Sequence, residues 1–489
     1  MNSRENPPTH RIFFKITRIL PLSAFARYLP TSGHARLRLL RLAMAVGSSL
    51  VSKAGSIVLQ LVAIPVAIII LGPEQFGIYA ALTTAWACIS LSGIGVGPGL
   101  TKAISRAQAA QDQETEQIYF TTALQVLSIA GLIGASIVCG ILFGIPSAIL
   151  YGKGFAPYQG VIHASTPILA AIIFLETVVS AVERTQAAHQ EMHKSYLWGG
   201  AGNLAGGLVL LAGISYFRSI PFLIFAVLGV PALARLGNGF SLVLRQRPYL
   251  LARGLRFDKA KAKELLGDGM AFTAAQAIAP LVMREGCKLI ASHFGGPLAA
   301  GTLAVLNQLC TFLSNIVIMF SQPLWPSLMD AAARHDFAWF NSARKRLWFG
   351  AMSYATVAGL FLMWQGPWLI ELWLKHEIHI YRDVFIAFAC FFVVSIWAHV
   401  NYVCLIALNL LGATAAISML EAAFVMLFTW LGMRWMGMPG LLWGMAAGLA
   451  LFSAWIYPAL LLQKLRRFGV QEPLTTDAPL TAEPSTPVL

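Results

Sequence analysis

Two cations stand four residues apart inside an apolar stretch, residues 272–294, that is long enough to cross a membrane. They are Arg284 and Lys288, and the same spacing runs back to Pro280 and Gln276. Side chains four residues apart lie on one face of a helix. A charge at membrane depth costs about 2.5–3.5 kcal/mol, so such residues face a protein interior or a watery cavity. The pattern predicts a helical face that lines the path of an anionic ligand.

A second polar face lies near the start of the first apolar segment, where Lys53 and Gln60 share one side of a helix. Arginine suits phosphate because its planar fork binds two oxygens, and lysine adds a point charge. The alternative for the later cations is local pairing with Glu285, or, for Lys288, extension of the side chain to the membrane surface. The predicted ligand-binding residues are Arg284, Lys53, Lys288, Gln60 and Gln276.

Two single acids, Glu176 and Glu421, also lie within apolar segments. Each is interpreted either as a coupling acid that carries a proton or as a structural partner of a nearby group. For Glu176 that partner is Arg235 or Lys53. The apolar segments contain no cluster of cysteine and histidine, so we expect neither a metal site nor disulfides.

Further polar and helix-breaking residues complete the candidate site. Asn307, Thr311 and Asn315 either contact ligand hydroxyl groups or bond to neighbouring helices. Pro65 and Pro280 each remove one helical hydrogen bond, which predicts either a bending point or a static kink. Trp86, Trp325 and Trp364 either stack on a ligand or lie at the membrane surface, and Gly202 with Gly206 predicts close helix packing.

The composition identifies the protein class that must position these residues. Of the 489 residues, 57% are hydrophobic and only 11% are charged, against about 25% charged in soluble domains. This composition excludes a water-soluble protein and predicts an all-α integral membrane protein. The net charge of +14 indicates positive cytoplasmic loops, and no nucleic-acid motif accompanies it. No phosphate-binding loop of the GxxxxGK[ST] type is present, so we expect neither ATP hydrolysis nor a cofactor.

Apolar runs predict twelve membrane-spanning helices. With the N-terminus in the cytoplasm, 26 of the 35 Lys and Arg residues fall on the inner side and five in outer loops. That split predicts that both termini are cytoplasmic. The predicted spans are 43–71, 76–101, 117–143, 161–182, 195–216, 220–243, 266–291, 297–321, 347–370, 384–408, 412–433 and 439–462.

The chain also repeats itself. A Gly-Pro turn follows the first span and another follows the seventh, and the separation from Pro73 to Pro297 equals that from Gly77 to Gly301. We call this separation the repeat interval, and Gln60 and Arg284 are also one repeat interval apart.

The repeat predicts two six-helix lobes of the same orientation with the ligand between them. Gln60 and Arg284 are then expected to face each other. The predicted parts are a basic N-terminal segment 1–40, an N-lobe 41–243, a basic inter-lobe loop 244–265, a C-lobe 266–463 and a disordered tail 464–489.

The sequence around the first turn also resembles a known pattern. Residues 71–80, LGPEQFGIYA, followed by residues 94–100, IGVGPGL, resemble the first hairpin of the polysaccharide flippases of the MOP superfamily. These O-antigen and exopolysaccharide transporters are related to the MATE multidrug exporters and to the lipid II flippase. The resemblance implies a V-shaped transporter of the bacterial cytoplasmic (inner) membrane, with no enzymatic activity. It would move undecaprenyl-diphosphate-linked oligosaccharide to the outer leaflet for surface polysaccharide biosynthesis.

The resemblance also assigns partners and leaves alternatives. The partners would be the lipid-linked oligosaccharide, membrane lipids and a glycan polymerase or export machinery. Asn307, Thr311 and Asn315 would then either contact the sugar hydroxyls of the oligosaccharide or bond between helices. One alternative is a MATE-like drug/cation antiporter, whose cavity we expect to favour acids, whereas this predicted cleft is basic. Another is a membrane glycan polymerase or ligase, which we expect to carry large catalytic loops. A noncatalytic scaffold gives no reason for cations at membrane depth.

Overall fold

The computed structural model describes residues 55–90, 96–266, 278–408 and 410–469, and all regular structure within them is helical. Eight helical stretches in this part of the chain are long and apolar enough to cross a membrane. The helices of more than ten residues are α1 Gly55–Leu71, α2 Pro73–Ser90, α3 Gly97–Ala109, α4 Gln113–Gly144, α5 Gln159–Ala188, α6 Met192–Phe217, α7 Ile220–Gln246, α8 Ile278–Ala333, α9 Phe337–Leu374, α10 Arg382–Ala407, α11 Leu411–Leu451 and α12 Ser453–Gly469.

The helices run past the ends of the predicted spans. Asp112 accepts a hydrogen bond from the backbone N–H of Thr115 at 2.9 Å and so caps the start of α4. Asp336 caps α9 in the same way through Trp339, at 3.0 Å. These caps satisfy N–H groups that the first helical turn leaves free, so the helices extend beyond their apolar parts. At the other end of the chain, α12 continues to Gly469, into the predicted tail.

The repeat seen in the sequence is present in the structure. Gly72 and Gly296 are one repeat interval apart, and both have a positive φ, +91° and +70°. A left-handed backbone of this kind favours glycine, which has no Cβ to clash. Gly296 divides α8 into two parts, and Gly437 divides α11. The two repeat-related turns therefore share a left-handed glycine at the same position.

The two halves of the chain meet beside these turns, on the side of the protein predicted to lie outside. A Cβ on Gly77 of α2 would lie 1.7 Å from the carbonyl oxygen of Pro297 in α8. A Cβ on Gly301 would lie 3.2 Å from the Cα of Gly77. A Cβ on Gly152, in the connection before α5, would lie 2.5 Å from the carbonyl oxygen of His293. Glycine thus allows backbone to pack on backbone between the halves.

The glycine pair predicted to allow close packing lies between α6 and α7. A Cβ on Gly202 would lie 2.8 Å from that of Ala234, and one on Gly206 would lie 2.6 Å from the carbonyl oxygen of Ala226. The predicted close helix packing at Gly202 and Gly206 is confirmed.

The basic connection after α7 is bound to the first half. Helix α7 continues to Gln246, past the end of the predicted span 220–243. Glu114 at the start of α4 binds Arg253 at 2.8 Å and Arg256 at 2.9 Å. Leu265 is buried in a cluster with residues of α3, α4 and α5. The connection is therefore packed against the helices before it.

Candidate functional site

A cavity of about 250 Å³ lies where the two halves meet. Helices α1, α2 and α7 line it from the first half, and both parts of α8 line it from the second. Its polar lining brings together predicted site residues from both halves. It also includes one of the tryptophans that were predicted either to stack on a ligand or to lie at the membrane surface. These residues are Gln60, Arg284, Lys288, Asn307, Thr311 and Trp86.

The lining of this cavity follows the internal repeat. Five pairs of lining positions are each separated by one repeat interval. The cavity therefore lies on the axis that relates the two halves. Among the residues that the structure describes, the charged ones that line it all come from the second half. The pairs are Gln60 with Arg284, Ile64 with Lys288, Ala80 with Ala304, Thr83 with Asn307, and Ala87 with Thr311.

Both cations of the cavity bind one buried acid. Arg284 Nε lies 2.9 Å from Oε1 of Glu285, and Lys288 Nζ lies 2.7 Å from Oε2. The exposed fractions of the side chains are 58% for Arg284, 10% for Lys288 and 3% for Glu285. The predicted local pairing thus occurs. Both cations remain in the cavity lining, and the group of two cations and one acid has a net positive charge. The exposed part of the Arg284 side chain is available to an anion.

Uncharged polar groups surround this triad. Gln308 Nε2 donates to Gln60 Oε1 at 2.6 Å, so Gln60 is bonded across the two halves to Gln308, although it shares the cavity with Arg284. Asn307 Nδ2 is buried with no hydrogen-bond partner among the described residues. A buried donor without a partner costs about 1–3 kcal/mol, so a ligand oxygen here would stabilise it. Thr311 donates to the Asn307 backbone, and Asn315 does not contribute to the lining.

The two single acids do not line the cavity, and each is bonded to other protein groups. Glu176 accepts from Arg235 at 3.1 Å and from Trp86 Nε1 at 2.8 Å. This confirms the structural pairing with Arg235, and it ties the cavity residue Trp86 to an intramembrane ion pair. Glu421 is buried and accepts a hydrogen bond from Ser453. A coupling role for either acid stays a prediction.

The remaining predicted site residues are two ligand-binding residues and the two hinge prolines. Lys53 and Gln276 lie outside the described residues. Helix α1 continues through Pro65 without interruption, and Pro280 stands at the third residue of α8 as described. The breaks in the long helices fall at Gly296 and Gly437, so a hinge role for the two prolines stays a prediction.

Sequence reasoning missed Thr83 and Gln308. The repeat was a signal for the first of them, because Thr83 precedes Asn307 by one repeat interval. The repeat gave no signal for Gln308. It relates Gln60 to Arg284, and so it does not indicate that Gln60 bonds to Gln308. In the described part of the chain, no group of three or more His, Cys, Asp or Glu side chains is placed to hold a metal ion.

Solved structures of transporters share this fold. The inward-facing conformation of a multidrug resistance MATE family transporter of the MOP superfamily has a TM-score of 0.68 at 13% identity, over 89% of this chain and 100% of that chain. The outward-facing conformation of a multidrug resistance MATE family transporter has a TM-score of 0.56 at 14% identity, over 89% and 97%.

A third similar structure has a different binding pocket. It is a MOP superfamily transporter from Pyrococcus furiosus, described as having a binding pocket of reverse polarity that suggests a different function. Its TM-score is 0.54 at 12% identity, over 85% of this chain and 96% of that chain. At these identities the comparisons establish the fold.

Sequence comparison with family models establishes the family. The chain matches none of the curated proteins in sequence. Residues 42–331, more than half of the chain, match the family described as polysaccharide biosynthesis protein. This match confirms the resemblance drawn from the first turn. The chain is a multi-pass membrane protein that belongs to the polysaccharide biosynthesis protein family, and its fold is similar to that of MATE family transporters.

Proposed function

We propose that this protein moves undecaprenyl-diphosphate-linked oligosaccharide from the inner to the outer leaflet of the bacterial cytoplasmic membrane. The observation that carries the proposal is the cavity on the repeat axis, whose charged lining is Arg284, Lys288 and the acid between them. A net positive site with a partly exposed arginine suits a diphosphate. The amide and hydroxyl groups of Asn307 and Thr311 suit sugar hydroxyls.

The proposal includes the twelve-span topology with both termini in the cytoplasm. The breaks at Gly296 and Gly437 divide two long helical runs into two crossings each. Six further apolar helices, α1 and the predicted span 76–101 bring the proposed number of crossings to twelve. The distribution of Lys and Arg supports the orientation. The two lobes, 41–243 and 266–463, and the cytoplasmic ends 1–40 and 464–489 follow from it.

The arrangement of the helices supports a state that is closed on the outer side and accessible from the inner side. The close contacts of Gly77, Gly152 and Gly301 with the opposite half all lie beside the outer turns. The TM-score of 0.68 to an inward-facing transporter, against 0.56 to an outward-facing one, also supports this assignment. In this state the lipid-linked substrate enters the cavity from the inner leaflet.

Alternating access then carries the diphosphate outward. The contacts beside the outer turns separate, the cavity opens outward, and Arg284 releases the diphosphate. With the cell interior negative, each unit of negative charge that crosses outward gains about 2.3 kcal/mol per 100 mV. The membrane potential can therefore drive the step, and a cation moving inward through Glu176 or Glu421 would add to it. A glycan polymerase or export machinery would then receive the product.

The alternative is a drug/cation antiporter with the same fold. A cationic drug favours an acidic cavity, and the acid that lines this cavity in the described residues, Glu285, is bound by two cations. The reverse-polarity transporter of Pyrococcus furiosus shares the fold, so the fold does not determine the polarity of the binding pocket. A glycan polymerase or ligase is a weaker alternative, because the described residues contain no large loop for a catalytic domain.

The test is export of surface polysaccharide in cells that carry Arg284→Ala or Arg284→Lys as the only flippase copy. Alanine is expected to stop export and to accumulate the lipid-linked precursor on the inner leaflet, and lysine is expected to restore part of the export. Arg434→Ala is the matched control, because Arg434 lies over Trp430 and outside the cavity. Normal export by Arg284→Ala at normal protein level contradicts the basic-cavity proposal.

A further inference from the structure

A second cavity, of about 600 Å³, lies between the second part of α8 and the beginning of α9. We call it the α8–α9 groove. Its α8 side is entirely apolar, and the α9 side presents every third or fourth residue, which is one helical face. The residues that define it here are Ile316, Phe320, Leu324, Trp339, Gly350 and Tyr354.

Helix α8 separates this groove from the central cavity. Thr311 lines the central cavity, and Ile316, five residues later, lines the groove. Five residues rotate a helix by about 140° and advance it by about 7.5 Å. The groove and the polar cavity therefore lie on different sides of one helix, and the groove begins about 7.5 Å further along it.

Among the described residues that line the groove, one is charged. Arg346 lines it and is exposed, and no hydrogen-bond or ion-pair partner for this arginine occurs among the described residues. In the proposed topology Arg346 stands at the inner membrane surface, immediately before the predicted span 347–370. Ser342 lies one turn towards the cytoplasm, and Gly350 and Tyr354 lie deeper. The groove thus combines an exposed cation at the surface with an apolar channel below it.

We propose that the α8–α9 groove binds the polyisoprenoid chain of the lipid-linked substrate, with the diphosphate against Arg346 at loading. This inference rests on the proposed function. A substrate whose sugar enters the central cavity must leave its chain in the membrane. The groove lies on another side of the helix that lines that cavity, so head and chain can occupy the two sites around α8. The cation at the inner surface matches the diphosphate.

Gly350 allows the groove to be blocked without disturbing the fold. No heavy atom lies within 4 Å of a Cβ built on this residue. Gly350→Trp therefore places a ring in the groove. Gly140 is an exposed glycine of α4 that also has open space around its Cβ, and Gly140→Trp is the matched control. We expect Gly350→Trp to reduce export about tenfold and Gly140→Trp to leave export unchanged.

The direct test is photo-crosslinking of the purified full-length protein in vesicles of phosphatidylethanolamine and phosphatidylglycerol. The probe is undecaprenyl diphosphate with a diazirine in its chain. We expect label on peptides that cover 316–324 and 339–354, competition by unlabelled undecaprenyl diphosphate, and about a tenfold loss of label in Gly350→Trp. Arg346→Gln is expected to weaken labelling, and Arg346→Lys is expected to retain part of it.

Three outcomes overturn the proposal. Equal labelling by a diazirine phosphatidylglycerol, without competition by undecaprenyl diphosphate, identifies an ordinary membrane lipid in the groove. A crosslink between two protein chains at these peptides identifies a second copy. Normal export by Gly350→Trp, in cells where Arg284→Ala stops export, rejects the groove and retains the proposed function, whereas export by both variants rejects both.

Discussion

Trp373 in α9 donates its indole N–H to the backbone carbonyl of Leu61 in α1, at 3.1 Å. In a regular helix this carbonyl accepts from the N–H four residues later, but residue 65 is a proline and has no N–H. Pro65 therefore leaves the Leu61 carbonyl without a partner within the helix, and Trp373 donates to it. Because α1 belongs to the first half of the chain and α9 to the second, this hydrogen bond joins the two halves.

We expect Trp373→Phe, which keeps an aromatic ring and loses the donor, to weaken the contact between the halves by about 0.5–1.5 kcal/mol. The measurement is labelling of a single cysteine at Ala67, a cavity residue, by a membrane-impermeant thiol reagent added outside. Labelling is expected to rise about twofold to tenfold.

The control for this prediction is the Pro65→Ala background, which supplies an N–H to Leu61 within α1. There the effect of Trp373→Phe is expected to be smaller, because the carbonyl already has a partner. An equal effect of Trp373→Phe in both backgrounds would show that the bond to Leu61 does not link the halves.

The repeat-related glycines predict an asymmetric response to alanine. A methyl group on Gly77 would lie 1.7 Å from Pro297 backbone, whereas one on Gly301 meets its nearest atom at 3.2 Å. Gly77→Ala is expected to disfavour the closed outer side by about 1–3 kcal/mol or more, and Gly301→Ala to be mild. Outside labelling at position 67 and export measure the effect, with Gly140→Ala as control. Similar behaviour of the two variants would contradict the backbone contact.

The charged triad predicts different roles for its two cations. Lys288 is 10% exposed and holds the buried Glu285, whereas Arg284 is 58% exposed. Removing one partner of a buried pair costs about 3–5 kcal/mol. Lys288→Met is therefore expected to lower the melting temperature in detergent, and Arg284→Ala is expected to stop export with a smaller change in melting temperature. A larger thermal loss in Arg284→Ala would reverse this assignment.

A pH dependence is expected at the start of α6, outside the membrane. Burial raises the pKa of Glu191, but bonds from Arg247 at 2.9 Å and Lys194 at 3.0 Å outweigh it and lower that pKa to about 2. A lowered pKa in the folded state stabilises the fold above pH 4.5 and ceases to do so as pH falls towards 2. The gain at neutral pH is about 1–2 kcal/mol, since water reaches the pair.

The measurement is the melting temperature of wild type and Glu191→Gln as a function of pH. The wild type is expected to melt higher at pH 7, and the difference is expected to shrink below about pH 4 as Glu191 becomes protonated in the unfolded chain. A constant difference across this range would show that the carboxylate charge does not contribute.

Much of the architecture could be predicted from the sequence. Composition alone indicated a membrane protein, because a chain with 11% charged residues cannot cover a soluble surface. The Gly-Pro turns indicated the repeat, because a left-handed turn favours glycine wherever it recurs. The face that carries Arg284 and Lys288 was predictable because helical spacing is a local property.

Only the tertiary structure decided which of these residues meet. In a membrane, lipid-facing and protein-facing sides of a helix are both apolar, so the sequence pattern leaves the rotation of each helix open. The bond between Gln60 and Gln308, the link from Trp373 to Leu61 and the α8–α9 groove all depend on that rotation. The sequence determined the helices, the repeat and the charge of the cavity. The packing of the two halves determined the partners, because contacts between distant segments depend on how whole helices are placed.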